Sequence, residues 1–215
     1  MASNFEFYSP TRVIFGKGTE QRVGALVREY GGTRVLVVYG GKSAIRSGVL
    51  DRAEKSLAEA GLSSWTLGGV VPNPHLDKVY EGIRIGRENG IDFLLAVGGG
   101  SVIDSAKGIA AGVYYDGDVW DFYMKRAQVG EAIPIGVVLT IPAAGSETSA
   151  GSVVTNEDGH YKRDCMGVNL IPKFAELFHL PIDQIVAMGT AVNKGITSVP
   201  TLVLFAVVPL SLIHI

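Results

Sequence analysis

One stretch of the chain, residues 93–107, constrains the fold more than any other. Residues 93–97 are continuously apolar, as in a buried parallel strand, and three glycines and Ser101 precede a helical segment that begins at Val102. Glycines let the backbone turn tightly and approach a ligand closely, because they have no Cβ. Ser101 is expected to cap the helix and Asp104 to support its first turn. Since the start of a helix favours an anion, the stretch predicts either a pyrophosphate cradle or a tight turn with nothing bound.

The rest of the sequence alternates between short apolar runs and amphipathic segments. Strands are predicted at residues 4–8, 12–15, 34–39, 64–67, 93–97, 133–139, 152–155 and 160–163. Helices are predicted at residues 19–30, 49–60, 76–89 and 102–113. The first two strands are expected to pair as a hairpin, and so are the last two. This order predicts an α/β fold with a Rossmann-like, mostly parallel sheet and helices on both faces.

Four loops are expected to meet at one edge of this sheet, because each follows a predicted strand. They comprise residues 40–43, 72–74, 98–101 and 140–146. In open parallel sheets, ligands bind at the carboxyl ends of the strands. The convergence of these loops therefore favours a bound nucleotide over an empty turn.

Charge and cysteine content argue against several other classes of protein. The 215-residue chain has a net charge of −2, a pI of about 6.1 and no basic patch, so nucleic acid is not expected as a partner. A single cysteine, Cys165, cannot form a disulfide within the chain and fits a reducing compartment. Residues 1–8 lack the basic and apolar regions of a signal peptide, and a cytoplasmic location is expected.

Four motifs together resemble the iron-containing, or group III, alcohol dehydrogenases, in particular the branch of butanol dehydrogenases and NADPH-dependent aldehyde reductases. They are Tyr-Gly-Gly-Lys-Ser at 39–43, Val-Pro-Asn-Pro at 71–74, Ala-Val-Gly-Gly-Gly-Ser-Val-Ile-Asp at 96–104 and Leu-Thr-Ile-Pro-Ala-Ala-Gly-Ser-Glu at 139–147. Each motif is weak alone, but their order and spacing match the family over about residues 4–175. The resemblance implies a dinucleotide-binding domain, here residues 1–178, followed in the family by a helical domain that carries iron or zinc. That metal polarises the oxygen of a small alcohol or aldehyde while a hydride passes to or from NAD(P).

The resemblance also gives individual residues expected roles. Gly99, Gly100 and Ser101 would lie against the pyrophosphate of the cofactor. Asp104 stands at the position of the family's aspartate on the following helix, and its alternative role is only to stabilise the start of that helix.

Four further residues are expected around the two ends of the cofactor. Thr140 and Ser149 would approach the nicotinamide, and Lys162 would lie near its ribose. Asn73 would lie near the adenine. Lys162 could instead be an ordinary solvated lysine, and Asn73 could simply bridge its own loop.

The residues after the predicted strand 34–39 bear on cofactor preference. A carboxylate at this point would accept hydrogen bonds from the ribose 2′-OH of NAD. This chain has Gly40, Gly41, Lys42 and Ser43 instead. No acid there would repel a 2′-phosphate, and Lys42 with Ser43 could hold one, so NADP is expected over NAD. The alternative is that Lys42 is an ordinary surface lysine.

Residues 179–215 depart from the family pattern. The family's metal ligands, an aspartate and three histidines, belong to the helical domain, which is expected to be absent from this chain. No metal ligand is assigned to the four histidines of the chain, because no two of them stand at helical i, i+4 spacing; they are His75, His160, His179 and His214. Residues 210–215 resemble the translation of a sequencing-library transposon end, which suggests a chimeric or artefactual tail. A membrane helix over residues 196–215 is the competing interpretation, disfavoured by Pro200 and Pro209 and by the lack of a basic flank.

The sequence leaves three functions open. The first is an oxidoreductase that transfers a hydride between NAD(P) and a primary alcohol or aldehyde, with this chain as a cofactor-binding part that is inactive alone. The second is a nucleotide-binding module without catalysis. The third is a lyase like dehydroquinate synthase, with which Asp104 and Lys107 are compatible, although the loops 72–74 and 140–142 favour the dehydrogenase. The edge of the amino-terminal hairpin could also pair with a second subunit to form a homodimer.

Overall fold

Six parallel strands form the central sheet of the protein, in a computed structural model that describes residues 9–178. The strands of this sheet are β1 (Arg12–Gly16), β2 (Arg34–Tyr39), β3 (Ser63–Leu67), β4 (Phe93–Gly98), β5 (Ile135–Leu139) and β8 (Phe174–Phe178). Their order across the sheet is β1-β8-β5-β4-β2-β3, and every neighbouring pair is parallel. The predicted α/β class and mostly parallel sheet are confirmed.

Helices cover both faces of the sheet. They are α1 (Val23–Glu29), α2 (Lys42–Arg46), α3 (Val49–Glu59), α4 (Leu76–Asn89), α5 (Gly100–Val113) and α6 (Trp120–Tyr123), with 3-10 turns at Thr19–Arg22 and Val168–Leu170. Alternate residues of β4 point to opposite faces, so that Leu94 packs with α4 and α5 while Phe93 and Leu95 pack with α1 and α3. All six residues of β4 are buried, as expected for a strand covered on both sides.

The start of α5 differs from the prediction. The helix begins at Gly100 rather than Val102, and its N-cap is Gly99 rather than Ser101. Gly99 is extended, with φ −97° and ψ −168°, and its carbonyl accepts the N–H groups of Val102 and Ile103 at 3.0 and 3.2 Å. Ser101 therefore lies inside the first turn of the helix, where it cannot be the cap.

A second difference follows strand β2. Residues 40–43 were expected to form only a turn, but Lys42 and Ser43 begin the short helix α2. Gly41 is its N-cap, and the N–H of Ser47 donates to the carbonyl of Ser43 at 3.0 Å. The short stretch of sequence carries too few apolar residues for a period to be recognised.

The strands β6 (Gly151–Asn156) and β7 (Tyr161–Met166) form an antiparallel hairpin outside the central sheet. This hairpin was predicted from the turn residues at 156–159. The other predicted hairpin pairs residues 4–8 with β1, and residues 4–8 lie outside the described part of the chain. The tail at 179–215, including the segment considered as a membrane helix, also lies outside it. Within residues 9–178, no helix is long and apolar enough to span a bilayer.

Strand β8 places a carboxylate inside the sheet. Glu176 lies in register between Ile14 of β1 and Val138 of β5, and its side chain is fully buried. Neither of its carboxylate oxygens has a hydrogen-bond partner among the described residues. Burial, and next the negative charge of Glu20, raise the pKa of Glu176 to about 8.

Candidate functional site

The turn between β4 and α5 has the open shape that a bound anion requires. A Cβ on Gly98 would come within 2.6 Å of the Val102 Cγ2 atom, so this position excludes any side chain. At Gly99 and Gly100 the nearest atoms to an added Cβ would be 3.7 and 3.4 Å away, and both residues are half-buried. The N–H groups of Gly100 and Ser101 precede that of Val102, the first N–H to bond within the helix, so both can donate to a ligand at the positive end of α5.

The loops after β2, β3 and β5 surround this turn. The N–H groups of Gly69 and Val70 donate to the carbonyls of Gly40 and Tyr39 at 3.2 and 3.3 Å, which joins the loops after β2 and β3. The N–H of Thr140 donates to the carbonyl of Gly98 at 3.0 Å, which joins the loop after β5 to the glycine turn. The predicted convergence at the carboxyl edge of the sheet is thus present. Thr140 is half-buried beside the glycine turn.

The residues proposed for cofactor preference lie at the outer end of this edge. Gly40 is half-buried, whereas Gly41, Lys42 and Ser43 are exposed. A Cβ on Gly41 would meet no atom within 4 Å, so the backbone here borders open space.

Asn73 and Lys162, separated by 89 residues in sequence, are brought together. The Lys162 Nζ atom donates to the Asn73 Oδ1 atom at 2.7 Å, and both side chains are exposed. Asn73 has a φ of 56°, the left-handed conformation that asparagine tolerates better than most residues. The hairpin is held in place beside this loop by a hydrogen bond of 2.8 Å from the Thr155 N–H to the Pro74 carbonyl. Lys162 thus forms a surface contact between the hairpin and the loop after β3.

Asp104 lies beneath the glycine turn, in the second turn of α5. Its carboxylate accepts a hydrogen bond of 2.5 Å from the Ser146 hydroxyl group and another from the Val153 backbone N–H. Burial raises the pKa of Asp104, and the hydrogen bond from Ser146 and the charge of Lys107 oppose that rise. These contacts join Asp104 to the loop after β5 and to the hairpin, and the first turn of α5 itself contains no acidic residue.

Sequence reasoning did not assign Lys107 to the site. Its side chain is fully buried, and its Nζ atom donates to the carbonyls of Ser146, Ser149 and Gly151 at 2.7, 2.7 and 2.8 Å. Burial lowers the pKa of Lys107 to about 8, while Asp104 and Glu147 act in the opposite direction. The available signal was a lysine one turn after Asp104 in a helix whose other residues are apolar or small. Ser149, expected near the nicotinamide, is thus half-buried and held to α5 through Lys107.

The described residues do not fit a metal ion. Within residues 9–178, no group of three or more His, Cys, Asp or Glu side chains lies close enough together to hold one. His75 instead lies 3.2 Å from a carboxylate oxygen of Glu157.

Comparison with known proteins identifies the family. The model of the iron-containing alcohol dehydrogenases matches residues 10–177. A probable NADH-dependent butanol dehydrogenase of Bacillus subtilis is 47% identical over 174 residues, which cover 81% of this chain and 45% of that protein. The NADPH-dependent aldehyde reductase of Escherichia coli is 36% identical over 178 residues, with 81% and 45% of the two chains covered.

A solved structure agrees with these matches. The crystal structure of an NADH-dependent butanol dehydrogenase A from Thermotoga maritima superposes with a TM-score of 0.79 at 37% identity, covering 88% of this chain and 50% of that one. The chain spans about half the length of the relatives that it matches. By sequence motifs, family model and fold together, the chain belongs to the iron-containing alcohol dehydrogenase family.

Proposed function

We propose that this chain is the dinucleotide-binding part of an NAD(P)-dependent alcohol dehydrogenase that acts on small primary alcohols and the corresponding aldehydes. The observation that carries the proposal is the glycine turn between β4 and α5, where Gly98 excludes a side chain and unpaired N–H groups face an open edge. Family membership supports the reaction type, and the names of the butanol dehydrogenases and of the aldehyde reductase support the substrate class.

Different residues of the chain are proposed to bind different parts of the cofactor. Gly99, Gly100 and Ser101 bind the pyrophosphate through backbone N–H groups, since a helix start attracts negative charge. Asp104, proposed as part of the cofactor site, lies behind this turn, where its carboxylate accepts a hydrogen bond from the Ser146 hydroxyl group. When bound, the nicotinamide supplies the carbon atom that accepts or releases the hydride.

Two groups of residues lie on either side of the pyrophosphate. Thr140, Ser149 and Lys162 line the nicotinamide side in this proposal, and Lys162 also reaches Asn73. The adenosine side is formed by Asn73 and by the loop that follows β2, with Gly40, Gly41, Lys42 and Ser43. Its exposed backbone around Gly41 leaves space for a ribose.

NADP is the preferred cofactor in this proposal. No carboxylate follows β2 to repel a 2′-phosphate, and the exposed Lys42 and Ser43 offer a positive charge and a hydroxyl donor. This preference rests on the residues of the chain itself, since the butanol dehydrogenases of Bacillus subtilis and Thermotoga maritima are named for NADH and the Escherichia coli reductase for NADPH.

Catalysis is proposed to need the part of the relatives that this chain does not span. The matched relatives are about twice as long as the matched region, and the resemblance places the metal ligands of the family in that remaining part. The 215-residue chain alone is accordingly expected to bind cofactor without turnover. We also propose a cytoplasmic location, which fits the buried free thiol of Cys165. The protein is further proposed to form a homodimer.

Calorimetric titration of the chain with NADPH, NADH and ADP-ribose tests the binding function. Saturable binding is expected for all three, tightest for NADPH, and ADP-ribose should bind because it carries the pyrophosphate that the glycine turn is proposed to hold. Absence of binding by every dinucleotide would refute the proposal, and tighter NADH binding would refute only the cofactor preference.

An activity assay separates dehydrogenase from the non-catalytic and lyase alternatives. A fusion of the chain with the half of a relative that lies beyond the match, supplied with iron or zinc, is expected to oxidise NADPH when butanal is added. Binding without any aldehyde-dependent oxidation would leave the non-catalytic module as the function. Release of inorganic phosphate from a phosphorylated sugar acid without consumption of NADPH would instead favour the lyase.

A further inference from the structure

We propose that Lys107 is the positioning residue for the nicotinamide side of the site: its buried ammonium group fixes the backbone of residues 146–151 without touching the cofactor. The inference rests on the proposed dinucleotide-binding function. It adds a residue that acts on Ser149 from inside the protein.

The ammonium group of Lys107 donates all of its hydrogen bonds to residues 146–151. Its three N–H donors match three backbone carbonyls, those of Ser146, Ser149 and Gly151, at 2.7–2.8 Å. The hydroxyl oxygens of Ser146 and Ser149 lie farther out, at 3.4 and 3.2 Å. A shell of carbonyl and hydroxyl oxygens around one positive charge is the arrangement that a bound monovalent cation would have, and here the cation is covalently part of α5.

Helix α5 contacts this loop at one more point and the following strand β6 at another. The Asp104 carboxylate accepts the Ser146 hydroxyl hydrogen at 2.5 Å, and the Asp104 carbonyl accepts that of Ser152 at 2.8 Å. Since α5 also carries the glycine turn at its start, one rigid helix sets the distance between the pyrophosphate donors and Ser149. Residues 140–150 contain no helix or strand of their own, so these contacts to α5 fix their path.

A purely space-filling role does not account for this residue. An apolar side chain of equal size would fill the volume but leave three carbonyls, one buried and two partly buried, without their lysine donor. Burying an ammonium group is costly unless its hydrogen bonds are all made. The charged or titratable groups facing Lys107 are Asp104 on its own helix, Glu147 in the loop and Cys165 on β7. The carboxylates of Asp104 and Glu147, one on α5 and one in the loop, both favour the positively charged form of Lys107.

The substitution Lys107→Ala tests the role, because it leaves a space that a free ammonium ion can enter. NADPH binding to the full chain is followed by nicotinamide fluorescence, with circular dichroism to establish folding. The dissociation constant is expected to rise about tenfold or more in sodium chloride, as three charge-assisted hydrogen bonds are lost. In ammonium chloride of equal ionic strength, a large part of the affinity should return. Lys125→Ala is the matched control, since it also removes a lysine bonded to a backbone carbonyl, that of Asp164 at 2.7 Å, and should respond to neither salt.

Two outcomes of this experiment would show that Lys107 does not position the loop. A folded Lys107→Ala protein that binds NADPH as tightly as wild type would overturn the inference, and so would a loss of affinity that ammonium and sodium affect equally. If the variant does not fold, the wild-type chain is titrated from pH 7 to 9, across the pKa of Lys107 at about 8. Deprotonation removes one donor, so affinity should fall while circular dichroism is unchanged, and a flat profile would overturn the inference. A wild-type chain that binds no dinucleotide at pH 7 would instead refute the proposed function.

Discussion

Replacing Glu176 by glutamine is expected to stabilise the protein at neutral pH and to remove a pH dependence of its stability. Glu176 is fully buried in β8 and has no hydrogen-bond partner for either oxygen among the described residues. Burial raises its pKa from 4.5 to about 8 in the folded protein. Between these values the native state binds more protons than the unfolded state, so wild-type stability falls as the pH rises through this window.

The magnitude follows from the pKa. The unfolded carboxyl ionises above pH 4.5 while the folded one stays protonated up to about 8. Each pH unit in between costs about 1.4 kcal/mol, so by pH 7 the accumulated loss is about 3 kcal/mol. Glutamine has nearly the shape of the protonated acid and does not ionise. The variant should therefore match wild type near pH 4.5 and exceed it by about 3 kcal/mol at pH 7.

Urea unfolding followed by far-ultraviolet circular dichroism at several pH values between 5 and 8 measures this difference. Glu59→Gln is the matched control, because the Glu59 side chain is 66% exposed and pairs with Lys55 only at 3.7 Å. The free energy of unfolding of the control should change with pH as that of wild type does, since an exposed ion pair contributes little to stability. If the free energy of unfolding of Glu176→Gln also changes with pH as that of wild type does, the carboxyl of Glu176 does not titrate in the way that its burial requires.

Two further substitutions examine the site itself. Gly98→Ala is expected to destabilise the protein by about 1–3 kcal/mol in urea unfolding, because its Cβ would overlap the first turn of α5, whereas Gly99→Ala should cost less than about 1 kcal/mol; equal effects would show that the turn tolerates a side chain at both positions. Lys42→Glu should weaken NADPH binding about tenfold relative to NADH in calorimetric titration, since it places a negative charge where the 2′-phosphate is proposed. The exposed Lys55 on α3 provides the control Lys55→Glu, and an unchanged ratio of affinities in Lys42→Glu would exclude contact with the phosphate.

The general architecture could be predicted because it is determined by short-range patterns. Strand β4 is an unbroken apolar run, and α4 lies between a proline-bounded loop and Gly90, so local periodicity and stop signals define both. The boundary of α5 was misjudged because serine is a common cap, and the extended backbone of Gly99 took that place instead.

The contacts that complete the site could not be predicted, because they join residues far apart in sequence. Lys162 meets Asn73 across 89 residues, and Lys107 meets Ser146 across 39. Neither pairing leaves a periodic signal along the chain, so only the packing of the hairpin and the loop on α5 reveals it. Glu176 was missed for a related reason, since its burial depends on β8 lying between β1 and β5.

The position of β8 in the sheet has a consequence for synthesis on the ribosome. β1 is made first among the described strands, yet its neighbour β8 is made last among them, and the bond between Thr11 and Pro172 spans 161 residues. As the chain emerges, β2 to β5 can assemble before β8 is made. Until then, the edge of β1 that pairs with β8 has no partner. Closing so long a loop is slow, and an unpaired edge can associate with other nascent chains. We therefore expect the insertion of β8 between two strands already made to be the step at which this domain is most prone to misassembly.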